Sequence, residues 1–363
     1  MNIRVLFISF LVCLFHTLSI SAEKKNDFSF KRGINISHWL SQSDARGESR
    51  ACFFTEKDVK YLAGLGFDHL RIPIDEEQMF SKEGKKEKEA FLLLHNALTW
   101  CQKYHMNAVV DLHILRSHFF NADKKPLFTE RKEQIRFYHL WEQLSGELKQ
   151  YPTHFLAYEM MNEPVADDHE TWNRIVNECV QHIRVLEPER SLIIGSNQWQ
   201  SYETVPYLKI PENDPNIIIS FHYYNPFLLT HYQASWTDVK DYKGAVHYPG
   251  PLISDQDMKQ LTPEMRKKYT YWNKESFDKA KIENHIKTVT AVAKQYNLPV
   301  YCGEFGCITQ APKADKERWY KDLVELFDKY NISRANWDYK GGFGILVQGE
   351  EQTTIIKTLT GKK

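Results

Sequence analysis

Short apolar runs alternate with longer amphipathic segments along almost the whole chain, and this alternation limits the fold more than any other feature. Each run is continuously apolar, as is typical of parallel strands that are buried on both faces. The fourth run starts at Phe155 and stops before Pro164, because proline biases the preceding residue away from helical dihedral angles. The other seven predicted strands lie at 31–37, 67–72, 107–112, 191–195, 216–221, 298–303 and 333–337.

Helical patterns separate most of these strands. The first predicted helix has Thr55 as its cap and Asp58 three residues later, and it runs to the Gly64-Leu65-Gly66 stop. Further helices are predicted at 87–104, 131–150, 171–186, 276–296, 313–330 and 351–359. This order predicts an α/β fold, a single (β/α)8 TIM barrel that fills residues 23–363.

Two further features of the sequence bear on the choice between fold classes and on the longest loop. An open doubly wound sheet is the alternative, but it would need a glycine-rich turn after the first strand, where the chain has His38-Trp39. Residues 227–272 are rich in aromatic residues, proline and lysine and show little periodicity. We interpret them as an elaborated loop after the sixth strand that walls a cleft, with short helices of its own.

Residues 1–22 have the pattern of a secretory signal peptide. Arg4 precedes a long apolar run, and Ser21-Ala22 supplies a small-residue cleavage site. An uncleaved anchor is the alternative, although the run is short for a bilayer and polar residues follow it directly. We therefore expect a secreted or periplasmic protein without a membrane contact after cleavage.

The net charge and the cysteine content indicate which ligands and cross-links are not expected. The formal net charge is zero, so nothing in the composition predicts binding of nucleic acid or of an acidic membrane. Five cysteines follow residue 22, an odd number without a Cys-x-x-Cys pair, so we expect mostly buried thiols and neither a zinc site nor a disulfide framework. We expect no metal and no cofactor.

Two glutamates lie where a barrel places its chemistry. Glu163 follows the fourth strand and Glu304 follows the seventh, and the strand ends of a barrel meet at one face. A facing pair of carboxylates suits retaining glycoside hydrolysis, in which one protonates the leaving oxygen and the other attacks the sugar. The carboxylate held by an arginine would stay ionised and act as the nucleophile.

Six short motifs at strand ends resemble glycoside hydrolase family 5, the cellulase family, over essentially the whole mature chain. They occur in the same order and at matching strand spacing: Arg71 in Leu-Arg-Ile-Pro, His113 in Asp-Leu-His, Asn162-Glu163-Pro164, His222-Tyr223-Tyr224, Glu304 in Gly-Glu-Phe-Gly, and Trp337. The resemblance implies that Glu163 is the general acid/base and Glu304 the nucleophile. It also implies a β-linked polysaccharide or oligosaccharide as substrate.

The resemblance implies roles for the remaining motif residues as well. Arg71 and Tyr224 would hydrogen-bond Glu304, and Asn162 would bind the sugar 2-hydroxyl. His113 and His222 would line the reacting subsite, with Trp337 as the floor on which the sugar stacks. Weaker cleft candidates lie at other strand ends, and these are Asn35, His38, Trp39, Asn197, Trp199, Lys340 and the loop tryptophans Trp236 and Trp272.

The resemblance implies a β-1,4-glucan hydrolase of endoglucanase type, which we expect to be secreted and monomeric. A β-mannanase, a xyloglucanase and an exo-acting β-glucosidase of the same family remain alternatives, because nothing in the motifs identifies the sugar. A carbohydrate-binding barrel without activity is a further alternative, and the presence of both Glu163 and Glu304 argues against it.

Overall fold

Eight parallel strands close into one barrel in the computed structural model, which describes residues 27–362. The strands follow one another around the ring in chain order, each paired in parallel with the next, and the last pairs with the first. They are β1 Arg32–Asn35, β2 His69–Asp75, β3 Asn107–Ile114, β4 Leu156–Glu159, β5 Leu192–Gly195, β6 Ile217–Tyr223, β7 Val300–Phe305 and β8 Ser333–Asn336. The predicted (β/α)8 barrel is confirmed.

Helices cover the outside of the barrel. They are α1 Glu56–Leu65, α2 Lys88–Lys103, α3 Arg131–Leu148, α4 His169–Leu186, α5 Lys279–Tyr296, α6 Lys313–Lys329 and α7 Thr353–Thr360. The predicted capping box of α1 is present, with Thr55 and Asp58 bonded reciprocally. Between β5 and β6 the chain has only short turns, Asn197–Gln200 and Val205–Tyr207, in place of a full helix.

Three predicted helix starts are displaced, and side-chain caps explain two of them. Helix α7 begins two residues after the predicted 351, because Glu350–Glu351 pairs antiparallel with Leu346–Val347. Helix α4 begins two residues before the predicted 171, because the Asp168 carboxylate accepts a hydrogen bond from the Thr171 N–H. Helix α5 begins three residues after the predicted 276, where Asp278 caps it. Ser276–Phe277 instead pairs antiparallel with Gly250–Pro251.

The lower barrel interior is apolar. A buried cluster joins side chains from six strands, and we call it the lower barrel layer: Val109, Ala157, Ile193, Ile218, Tyr301 and Ala335. Phe28 belongs to the same cluster and Phe30 packs against it, so the segment before β1 closes the bottom of the barrel. The mouth at the carboxyl ends of the strands is therefore the open end.

The segment between β6 and α5 is an ordered insertion. It contains Phe227–Thr230, Asp255–Gln260 and Pro263–Lys274 as helices, in line with the interpretation as an elaborated loop with short helices. Its interior is built from buried residues such as Val239, Tyr242, Tyr248, Leu252 and Tyr269. We call residues 227–275 the insertion.

The described cysteines are free thiols, and four of the five are buried. Between residues 27 and 362, no helix combines the length and the apolar character needed to cross a bilayer. The predicted signal peptide at residues 1–22 lies outside the described residues.

Candidate active site

Arg71 is the centre of the barrel mouth. Its side chain is fully buried and contacts three carboxylates: Glu159 at 2.6 Å, Glu304 at 2.7 Å and Asp111 at 3.0 Å. It also donates to the side-chain oxygens of Asn35 and Asn162. We call this set the Arg71 cluster, and it holds more negative than positive groups away from water, which is costly unless every charge is bonded or protonated.

Burial shifts the two deeper carboxyl groups of the Arg71 cluster towards their protonated forms. Burial raises the pKa of Asp111 to about 7, although Arg71 opposes the shift. The pKa of Glu159 is raised for the same reason. The cluster therefore retains protons at pH values where an exposed carboxylate would be ionised.

Glu304 lies at the end of β7 with two donors directed at its carboxylate. Arg71 Nη1 donates to Oε1 at 2.7 Å and the Tyr224 hydroxyl donates to Oε2 at 2.9 Å. Burial raises the pKa of Glu304, while Arg71 and then His113 act in the opposite direction. Burial and the neighbouring carboxylate raise the pKa of Tyr224, so its hydroxyl keeps the proton that it donates.

Glu163 faces Glu304 across the mouth, and an oxygen of each carboxyl group lies within 4.8 Å of the other. His222 Nδ1 lies 3.0 Å from Glu163 Oε1. Burial first, and then the charge of Glu304, raise the pKa of Glu163 well above its usual value. Burial and Arg71 lower the pKa of His222, so the imidazole is neutral near pH 7. The pair thus consists of a proton-holding acid and an arginine-bound carboxylate.

Gln200 fixes the backbone of Glu163, and the sequence did not single it out. Glu163 has a φ of 45°, a left-handed conformation that non-glycine residues rarely adopt. Its N–H donates to Gln200 Oε1 at 2.8 Å, while Gln200 Nε2 donates to Glu159 and to Ser220. A Cβ at Gly195 would lie 2.0 Å from Gln200 Nε2, so that glycine at the end of β5 makes room for the amide.

His113 and Trp337 stack on one another beside the two glutamates. Their ring centroids are 5.5 Å apart and the planes differ by 5°. His113 Nδ1 lies 2.7 Å from the Asp111 carboxylate, and burial lowers the His113 pKa to about 4. A neutral, buried imidazole therefore packs against the indole and supports it at this edge of the mouth.

Asn162 presents an unused donor. Its Oδ1 accepts from Arg71 at 2.9 Å, whereas its buried Nδ2 has no hydrogen-bond partner among residues 27–362. A buried amide N–H without a partner costs free energy in the free protein and is available to a ligand hydroxyl.

Three of the weaker cleft candidates form hydrogen bonds with other residues of the protein. Asn35 is fully buried, and its amide donates to the Gly303 carbonyl while its oxygen binds Arg71, so it supports the Arg71 cluster from below. Lys340 donates to Asp58 and to the Phe53 carbonyl. Asn197 bonds to the backbone of Ala166 through both ends of its amide. The side chains of Lys340 and Asn197 thus have partners within the protein, and their predicted contact with sugar hydroxyls stays a prediction.

Three side chains in the described part of the mouth could together ligate a cation. Ligand atoms of Glu163, His222 and Glu304 lie within 4.8 Å of one another. Arg71 already neutralises Glu304, however, and a cation there would stand close to the guanidinium. The prediction that no metal is needed stays a prediction.

The chain matches known proteins over most of its length. The model of the cellulase family, glycosyl hydrolase family 5, matches residues 30–342. Endoglucanase C of Acetivibrio thermocellus is 32% identical over 320 residues, 86% of this chain and 92% of that protein. Cellodextrinase A of Ruminococcus flavefaciens is 30% identical over 307 residues, 84% of this chain and 83% of that protein.

Solved structures share the fold. Endoglucanase Cel5A of Thermotoga maritima superposes with a TM-score of 0.74 at 24% identity, covering 91% of this chain and 96% of that one. The cellulose synthase subunit CcsZ of Clostridioides difficile gives a TM-score of 0.73 at 25% identity, over 91% of this chain and 99% of that one. With the family model spanning the barrel and the glutamate pair at its mouth, the chain belongs to glycosyl hydrolase family 5 and is a glycoside hydrolase.

Proposed function

We propose that this glycoside hydrolase cleaves β-1,4-linked glucan with retention of anomeric configuration. The observation that carries the proposal is the separation of the two carboxyl groups, which have oxygens within 4.8 Å of one another. Retaining enzymes hold this pair about 5–5.5 Å apart, whereas inverting enzymes leave room for a water between them. The names of the relatives, endoglucanase and cellodextrinase, support a β-glucan as substrate.

In the first step Glu304 attacks the anomeric carbon and forms a glycosyl ester, while Glu163 gives its proton to the departing oxygen. Arg71 and Tyr224 hold the carboxylate ionised and aimed. The raised pKa of Glu163 supports its role as the acid.

In the second step Glu163, now ionised, takes a proton from water. The resulting hydroxide displaces Glu304 from the sugar and restores both groups. Loss of negative charge from Glu304 in the ester intermediate removes one cause of the raised pKa of Glu163, so the group becomes easier to ionise when it must act as a base.

The sugar in the reacting subsite would lie on Trp337, whose indole is supported by the stacked His113 ring. The free Nδ2 of Asn162 suits the 2-hydroxyl, a contact that strengthens as positive charge develops at the anomeric carbon. His222 would orient Glu163 through their 3.0 Å contact.

The test follows product anomers by NMR during hydrolysis of a cello-oligosaccharide. We expect the β-anomer first, and initial release of the α-anomer would exclude Glu304 as a nucleophile.

Glu163→Ala should lose most activity on poor leaving groups and recover on an activated aryl glycoside with azide, which gives a β-glycosyl azide. Activity in a strong chelator should be unchanged. β-Mannan and xyloglucan in parallel reactions test the alternative substrates.

We further propose that the enzyme is exported as a monomer, with the signal peptide removed after Ala22. Sequencing of the mature amino terminus tests the cleavage site, and a start at residue 1 in exported protein would exclude it. Sedimentation of the mature enzyme tests the oligomeric state.

A further inference from the structure

Glu163 lies beyond the end of its strand. β4 ends at Glu159, and Pro164 has no N–H with which the chain could continue a regular pattern of backbone hydrogen bonds. The peptide groups of Glu163 therefore need partners from other segments, and those partners also have to hold its φ of 45°.

His118 supplies one of these partners. Its Nε2 lies 3.1 Å from the carbonyl oxygen of Glu163. A carbonyl oxygen only accepts hydrogen bonds, so Nε2 carries the proton, and Nδ1 of the neutral ring then carries the lone pair. Gln200 accepts from the Glu163 N–H at 2.8 Å, so a side chain bonds each of the two backbone polar groups of Glu163.

The two partners come from opposite sides of β4. In the barrel, β4 pairs with β3 on one side and with β5 on the other. His118 belongs to the loop after β3, and Gln200 belongs to the turn after β5. The backbone of Glu163 is thus held between the two neighbouring strands, which opposes its displacement in either direction around the barrel.

The loop after β3 fixes the position of His118. Leu115 and His118 exchange backbone hydrogen bonds of 2.9 and 3.1 Å, and the Ser117 carbonyl accepts from the Leu127 N–H. The Phe128 ring packs edge-on against the imidazole, with the ring centroids 5.1 Å apart. A side chain that is held in this way is suited to supporting a catalytic group.

Packing alone does not explain a histidine at this position. The His118 side chain is 1% exposed, and its Nδ1 has no hydrogen-bond partner within residues 27–362. Burial lowers the pKa of His118 to about 4, so the ring is neutral near pH 7. A leucine would fill the space without an unpaired nitrogen, so the free energy that this atom costs indicates that the position serves the Nε2–H contact.

We propose that His118 is a positioning residue for the reaction, because its hydrogen bond to the Glu163 carbonyl holds the left-handed backbone of Glu163 and so directs the carboxyl group at the oxygen of the leaving group. The inference rests on the proposed function, in which Glu163 is the acid. His118 acts through the Glu163 backbone and not on the substrate. Its loss should impair proton donation and leave the attack by Glu304 intact.

The experiment compares cellotetraose, whose departing sugar needs a proton, with dinitrophenyl cellobioside, whose leaving group does not. His118→Leu fills the space but has no donor, and its kcat/KM for cellotetraose should fall at least about tenfold more than its kcat/KM for the aryl cellobioside. The basic limb of the pH profile for cellotetraose should move down, because a displaced Glu163 loses the burial and the nearby Glu304 charge that raise its pKa.

His118→Gln is the conservative variant, since a glutamine amide can place an N–H where Nε2 lies. It should restore most of the kcat/KM for cellotetraose and the position of the basic limb. Retained activity on the aryl cellobioside shows that a variant is folded. If His118→Leu does not fold, His118→Met replaces it as a more flexible side chain without a donor.

Phe128→Leu is the matched control, because it loosens the packing around the imidazole but removes no hydrogen-bonding group. It should change both kcat/KM values by the same factor and leave the pH profile in place. Equal losses on both substrates in the variant without a donor would overturn the proposal. So would a failure of His118→Gln to restore the ratio, or an equally large change of the ratio in Phe128→Leu.

The proposed function fails separately from this inference. Glu163→Ala should show the same preference for the aryl substrate, and more strongly than the His118 variants. If it does not, Glu163 is not the acid and the proposed function is wrong. If Glu163→Ala shows the preference and His118→Leu does not, only the role of His118 is wrong.

Discussion

The lower barrel layer and the Arg71 cluster share strands β3 and β4, where their residues are two apart, yet one is apolar and the other is charged. On β3, Val109 belongs to the lower layer and Asp111 binds Arg71; on β4, Ala157 and Glu159 divide in the same way. Residues two apart on a strand face the same side, so both layers point into the barrel. The lower layer stabilises the fold by packing, whereas the Arg71 cluster holds charge where burial opposes it.

This difference indicates that the Arg71 cluster is the part of the barrel interior where catalytic groups are held at a cost in stability. A well-packed apolar cluster in place of buried ions is often more stable. Of the two layers, the Arg71 cluster, which we also call the upper layer, is the one connected to the carboxyl pair. Glu304 bonds to Arg71, and Gln200 connects Glu159 to Glu163. We therefore expect upper substitutions to act on activity and lower ones on stability.

Replacement of Glu304 should have the largest effect. Glu304→Ala removes the proposed nucleophile, and we expect kcat/KM to fall about 10⁴-fold or more, in line with the loss of other covalent catalytic groups. Steady-state hydrolysis of an aryl cellobioside measures it, with Glu350→Ala, an exposed glutamate remote from the Arg71 cluster, as control. A Glu304→Ala enzyme within tenfold of wild type would show that the upper layer is not the active site.

Gln200→Leu should have the next largest effect, because Gln200 acts through Glu163 and is a positioning residue. The substitution leaves the Glu163 N–H without its acceptor and removes one of the donors to Glu159. A misplacement on the ångström scale costs about 10²-fold in rate. The loss should be larger for cello-oligosaccharides than for activated aryl glycosides, which need less help from the acid, and the basic limb of the pH profile should move down.

Gln198→Leu is the control for Gln200→Leu. Gln198 lies in the same left-handed turn, but its side chain bonds to the Ala166 carbonyl rather than to Glu163. Equal losses on both substrate types in Gln200→Leu, with an unmoved pH profile, would mean that Gln200 only maintains the fold.

Glu163→Gln should lower activity and raise stability at neutral and alkaline pH. The folded protein raises the pKa of Glu163, so unfolding releases a proton above the unfolded pKa of about 4.3. The contribution of Glu163 to the free energy of unfolding is therefore fully present below the unfolded pKa and is lost as the pH rises. The loss is about 1.4 kcal/mol per pH unit until the pH passes the folded pKa. The amide side chain of the variant cannot ionise, so the difference in Tm between variant and wild type should grow from pH 4 to pH 8. A constant difference would contradict the raised pKa.

The two layers also differ in how well the sequence predicts them. The strands are recognisable in the sequence as apolar runs. Glu163, Glu304 and Arg71 were predicted as site residues because each follows or ends such a run. Gln200 was not predicted, because no residue of Asn197–Gln200 is a glycine that would indicate a left-handed turn. Gly195 was the one available signal, since a glycine at a strand end indicates that another group packs closely against the backbone. Lys340 and Asn197 were assigned to the cleft because a sequence cannot show that Asp58 or the Ala166 backbone, distant along the chain, already binds them.

The smallest effect should come from the lower barrel layer, and it completes the comparison. Ile218→Val removes one methylene from a fully packed cluster, which costs about 1 kcal/mol of folding free energy. Because Ile218 is on β6 four residues before His222 and belongs to the apolar layer, kcat/KM should stay within twofold of wild type and the pH profile should not shift. Urea unfolding gives the free energy, and parallel kinetics give the activity. A tenfold loss of kcat/KM with intact stability would mean that the lower layer positions the catalytic groups, and the division between the two layers would then be wrong.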